Sequence, residues 1–186
     1  LADFRGRYAM KRPVLFLDFD DVICLNAPYG GYHAKLALDE ETFRSSQELH
    51  DKLFDSEAKR FLAAIDDEFR PVYVLSTNWR LLFQQSELVE ILNYCGLPFV
   101  TQRLHPEWST PVQQRQGLRA AEIKSWLALH PEFSDGWVVL DDKLSGNGFK
   151  MWNPQDRSFL VLCQEYVGFR EAEYSQLRDA LQRRVR

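Results

Sequence analysis

Three carboxylates fall within four positions, Asp18, Asp20 and Asp21, directly after the apolar run Pro13-Val14-Leu15-Phe16-Leu17. Clustered acids repel one another and resist leaving water. They are therefore found beside a divalent cation, with one member protonated, or in water at the tip of a loop. The run ahead of them is strand-sized and apolar at every position, as in a buried strand whose C-terminal end opens onto a charged site. Two similar runs end in polar groups: Pro71-Val72-Tyr73-Val74-Leu75 leads into Ser76-Thr77-Asn78, and Trp137-Val138-Val139-Leu140 leads into Asp141-Asp142.

These ends must be held by the elements between them. Ser56 can cap a helix in which Ala58, Phe61, Leu62 and Ile65 recur at the spacing of an apolar stripe. Leu81 to Tyr94 reads as a helix stopped at Gly96 before Pro98, and Leu118 to His130 as an amphipathic helix ended by Pro131. A further helix runs from about Arg170 to Arg184, and Leu38 to Leu53 carries one or two short ones. Phe99-Val100-Thr101 and Phe159-Leu160-Val161-Leu162 read as strands, Gln102 to Gly117 as a surface loop, and Leu25 to His33 as a hairpin-like flap with Pro28 and Gly30-Gly31 at its turn. Strands alternating with helices predict an α/β fold, a three-layer Rossmann-like parallel sheet with helices on both faces. Parallel strands end on one edge, where open sheets bind ligands. Asp18, Asp20, Ser76, Asp141 and Asp142 are thus expected to converge.

With 186 residues, 45% hydrophobic and 27% charged, the chain reads as one domain over 1–186, with a short flap or lid insertion at about 24–55. Cys24, Cys95 and Cys163 are too scattered for a disulfide framework, which points to a reducing compartment. No run approaches the ~20 apolar residues of a membrane span, and no secretion signal precedes the first strand, so the expectation is a cytoplasmic protein without a membrane partner. The net charge of −4 gives no global attraction to a polyanion, and oligomeric state leaves no sign. Residues 1–9 read as a polar lead-in, with Met10 a candidate start. His33, His50, His105 and His130 show no ligand spacing, which argues against zinc.

The strand ending in Asp18-Phe19-Asp20, the strand ending in Ser76-Thr77-Asn78, a helix opening with a basic residue, and the strand ending in Asp141-Asp142 resemble, in that order, the four motifs of the haloacid dehalogenase (HAD) superfamily. Within it, Leu75-Ser76-Thr77-Asn78-Trp79-Arg80, Glu122-Ile123-Lys124-Ser125-Trp126-Leu127 and Val138-Val139-Leu140-Asp141-Asp142 resemble the small HAD domains associated with RNA-repair proteins. The resemblance implies that Asp18 is a nucleophile forming an aspartyl-phosphate and that Asp20 protonates the leaving oxygen and then activates water. It also implies that Mg²⁺ is held by Asp18, the Asp20 carbonyl, Asp141 and Asp142. Ser76, with Thr77 and Asn78 beside it, would donate to the phosphoryl oxygens. Arg119 and Lys124 compete as the phosphate-binding cation. Arg119 is favoured, because Lys124 lies ~7.5 Å further along the helix at 1.5 Å per residue. Asp21 stands where Gly is commoner and is expected to be a bystander.

The reading is a Mg²⁺-dependent phosphomonoester hydrolase acting on a small phosphorylated substrate. The alternatives are a catalytically degenerate HAD-like module binding phosphate, Mg²⁺ or a protein partner, and a nucleic-acid end phosphatase. A lone Asp-x-Asp is often a solvated turn; four motifs in order outweigh that.

Overall fold

The computed structural model describes residues 12–112 and 118–185. Expectations for residues 1–9, and for the last part of the Gln102 to Gly117 segment, lie outside them in whole or in part. Five strands form one all-parallel sheet in the order β3-β2-β1-β4-β5. They are β1 (Val14–Leu17), β2 (Val72–Leu75), β3 (Leu104–Ser109), β4 (Trp137–Asp142) and β5 (Leu160–Cys163). β1 is central, pairing with β2 on one side and β4 on the other. Every residue of β1 and β4 is buried, so helices cover both faces there, as the uninterrupted apolar runs require.

The helices are α1 (Gly31–Asp39), α2 (Gln47–Lys52), α3 (Ser56–Phe69), α4 (Gln85–Tyr94), α5 (Pro98–Gln102), α6 (Arg119–Leu129), α7 (Pro154–Arg157) and α8 (Glu171–Arg184). α6 packs through Trp126, which meets Phe16 of β1 edge to face at 5.4 Å. Such a pair contributes about 0.5–1.5 kcal/mol beyond its buried area. α8 lies on β4 and β5 and against α3, where Tyr174 stacks on Phe61 at 4.9 Å. Among the described residues no helix is long and apolar enough to cross a membrane.

Four local expectations change. Phe99-Val100-Thr101 belongs to helix α5, because Pro98 at its first turn presets φ and lacks only an N–H that no helix uses there. The third strand instead lies at Leu104–Ser109, within the expected loop. This edge strand carries Pro106, and between its pairings Tyr73↔Leu104 and Leu75↔Ser109 it holds more residues than β2 does, so it bulges. The cap of α3 is Asp55 rather than Ser56: its carboxylate accepts the Ala58 N–H at 2.9 Å and pairs with Arg170 at 2.6 Å. The flap is mostly helical, since α1 starts at Gly31 and takes in His33, and a 3₁₀ turn, Phe43–Ser45, separates α1 from α2.

Candidate active site

The C-terminal end of β1 is clamped from both sides: Asp18 N–H donates to the Leu140 carbonyl at 3.0 Å, and Ser76 N–H to the Leu17 carbonyl at 2.9 Å. Asp18, Ser76 and Asp141 therefore stand side by side at three strand ends, although 123 positions separate the first from the last. Asp141 and Asp142 are the last residues of β4 itself. Asp18, Asp141 and Asp142 are all buried, and each offers a carboxylate oxygen within 4.8 Å of the others.

Arg119, the first residue of α6, is buried between two of them. Its Nη1 is 3.4 Å from Asp18 Oδ1 and its Nε 3.6 Å from Asp141 Oδ2. Lys124 is exposed, with its ammonium 5.1 Å from the Trp152 ring centre. Of the two candidate cations the structure brings only Arg119 to the carboxylates. Thr77 Oγ1 accepts the Trp79 N–H at 3.3 Å, capping the 3₁₀ helix Asn78–Leu81, and Asn78 is exposed. Among the described residues the buried Ser76 Oγ and Asp141 Oδ2 have no hydrogen-bond partner. Unpaired buried polar atoms are costly, so two together at strand ends suit a site built to receive a ligand.

A family model described as the HAD domain in Swiss Army Knife RNA repair proteins matches residues 14–174. The chain belongs to this family. No curated protein and no solved structure matches it. Membership places the chain in the HAD superfamily of phosphatases and related hydrolases, and the parallel sheet with its acidic strand ends agrees.

The donor set of this HAD domain fits a hard divalent cation. Three carboxylates offer oxygens at one point, and Asp141 Oδ2 is buried and without a hydrogen-bond partner, while Asp142 Oδ1 is held in place by the N–H groups of Leu144 at 2.7 Å and Ser145 at 2.9 Å. Without a cation two of these carboxylates, Asp18 and Asp141, resist ionising. Burial pushes Asp18 up from 3.8 to about 6, against the pull of Arg119. Burial and then the Asp18 charge raise Asp141 well above its ordinary value. Burial would lower the Arg119 pKa, but the Asp18 and Asp141 charges outweigh it and raise it.

The sign of the pH effect follows. A folded-state pKa above the unfolded one stabilises the fold below the unfolded value, and that stability is lost as pH rises through the folded value. For Asp18 the window runs from 3.8 to about 6. This contribution to metal-free stability is expected to decline across it. A cation replaces the proton, so Mg²⁺ should raise the melting temperature more at about pH 8 than at about pH 5, checked by thermal denaturation with and without chelator.

Several contacts around the candidate site went unread in the sequence. Asp20 Oδ1 accepts from Trp79 Nε1 at 3.0 Å and from Asn26 Nδ2 at 3.1 Å. Arg80 donates to the Thr77 carbonyl at 2.7 Å and pairs with Glu122 of α6 at 2.7 Å, both side chains buried, which ties the loop after β2 to the helix that carries Arg119. Asp21, expected to be a bystander to the chemistry, makes a structural contact. It takes φ 55, a left-handed conformation that Asp tolerates better than most residues, and its carboxylate accepts the Tyr166 N–H at 2.8 Å. Its position in place of Gly was the available signal. Nearby, Gly168 at φ 77 lies so close to the Val22 carbonyl that a Cβ would sit 2.8 Å from it, so the segment after β5 seats on the turn after β1.

The structure also gathers His105, His130 and Glu132, whose donor atoms lie within 4.8 Å although no sequence spacing announced them. His105 Nδ1 accepts the Glu107 N–H at 3.0 Å, so that nitrogen is engaged within the protein. His130 Nε2 is 2.9 Å from Glu107 Oε2, and its ring stacks on Trp126 at 3.9 Å. These contacts fasten the end of α6 to the edge strand.

Proposed function

We propose that this HAD domain is a Mg²⁺-dependent phosphomonoester hydrolase working through an aspartyl-phosphate on Asp18. The observation that carries the reading is the meeting of Asp18 with Asp141, Asp142 and Arg119 beside the unpartnered Ser76 hydroxyl. Asp18, Asp141, Asp142 and the Asp20 carbonyl would hold the metal. When bound, it supplies positive charge that lets an anionic nucleophile approach an anionic phosphate. A phosphoryl group at Asp18 would find the Ser76 hydroxyl to one side and the Arg119 guanidinium to the other, donors aimed where charge develops. Asp20, two residues on and half-exposed, would protonate the leaving oxygen and then activate the entering water.

Inorganic phosphate release from a panel of aryl, sugar and nucleotide monoesters tests this. Turnover is expected with Mg²⁺ and its loss with chelator. A protein that binds Mg²⁺ yet releases no phosphate from any of them would sink the hydrolase reading and leave a binding module.

A second reading places the substrate phosphate at a nucleic-acid end. The family's description as domains of RNA repair proteins favours it. In that case 3′- or 5′-phosphorylated oligonucleotides outcompete the small esters in the same panel, with an affinity that falls as salt rises.

A further inference from the structure

Among the described residues two N–H donors reach the Asp20 carboxylate, and both converge on a single oxygen, Oδ1. An oxygen that accepts two such donors is a poor place for a proton, since protonating it sets N–H against O–H. The other oxygen, Oδ2, is the one left to carry it. Burial alone does not explain the pair. A buried indole N–H needs an acceptor, which would account for Trp79. Asn26 is exposed and needs none, yet its carboxamide turns to the same atom.

We propose that Trp79 and Asn26 are positioning residues that fix Asp20 by Oδ1 and aim Oδ2 at the leaving group and, later, at water. The inference rests on the phosphatase reading above. In the first step Asp18 attacks phosphorus, the bond from phosphorus to the leaving oxygen breaks, and the proton on Asp20 Oδ2 goes to that oxygen. In the second, water attacks the phosphorus of the aspartyl-phosphate and gives its proton to Oδ2, releasing phosphate and Asp18.

The scaffold holds both donors firmly. Trp79 is 2% exposed, with Phe19, Phe83 and Phe54 packed around its ring at 5.3, 5.4 and 5.9 Å between centres. Asn26 stands at φ 57, a conformation its short amide tolerates. The Gly30-Gly31 pair of the flap makes room for them. A Cβ on Gly31 would lie 2.9 Å from Trp79 Cε2 and 3.2 Å from its Nε1, and a Cβ on Gly30 would collide with the Asn26 carboxamide. The start of α1 thus presses on both donors, and the flap sets the geometry of the acid.

The test compares kcat/KM, which reports only as far as transfer to Asp18, for p-nitrophenyl phosphate and phenyl phosphate. p-Nitrophenolate leaves readily without a proton, whereas the more basic phenolate depends on one. Trp79→Phe keeps the ring packing and removes the N–H. It should raise the preference for the p-nitrophenyl ester about tenfold, a share of the ~10²–10⁴ a positioned acid supplies. Asn26→Gly, which keeps the left-handed backbone at an exposed position, should shift it the same way by about threefold, and it decides the matter if Trp79→Phe does not fold. Equal losses on both esters would overturn the positioning role while leaving the phosphatase reading in place. A wild-type protein that turns over neither ester overturns both.

Discussion

Replacing Asp18 by Asn is expected to lower kcat for phosphate release by at least about 10⁴-fold, as removing a covalent nucleophile does elsewhere. The change is nearly isosteric in a buried position, so the space the side chain fills is kept. Only the charge and nucleophilicity go. Because burial already holds Asp18 up to about 6, its negative charge destabilises the metal-free fold at neutral pH, and Asn removes that charge. The variant should melt no earlier than wild type in chelator. Activity lost with stability kept identifies a chemical role. A variant that retains about a tenth of wild-type turnover would remove Asp18 as the nucleophile.

Arg119→Ala is expected to damage both activity and stability. Loss of the guanidinium leaves Asp18 and Asp141 buried with no cation between them, and breaking a buried pair in this way costs about 3–5 kcal/mol. Loss of a donor to the developing phosphoryl charge should lower kcat/KM about 10²–10³-fold. Urea denaturation in chelator reads the first effect, with Mg²⁺ recovering part of it. Phosphate release reads the second. Lys124→Ala is the control, because that ammonium lies over Trp152, away from the carboxylates. If Lys124→Ala lost activity as Arg119→Ala does, the assignment of the cation to Arg119 would be wrong.

The strands that carry the candidate site were legible because they are central. β1, β2 and β4 are uninterrupted apolar runs ending in polar groups, and one parallel sheet sends such ends to one edge. The resemblance called for a cation on this helix, and helix geometry favoured Arg119 over Lys124. Less central elements were not legible. β3 is a half-exposed edge strand with a proline, so nothing apolar marks it, while Phe99-Val100-Thr101 looks like a strand and is taken into a helix by Pro98. Contacts that bring distant, non-periodic residues together left no trace either. Trp79 on Asp20, Arg80 on Glu122 and Tyr166 on Asp21 depend on where loops land, and a pattern of hydrophobicity carries no information about that.

The bulge in β3 also bears on how molecules of this protein meet one another. An edge strand normally exposes a regular row of donors and acceptors that a strand from another molecule can extend. Here Pro106 lacks an N–H and the extra residues break the register with β2, so an incoming strand would find no continuous ladder to join. On that side the sheet terminates itself, which guards against edge-to-edge aggregation.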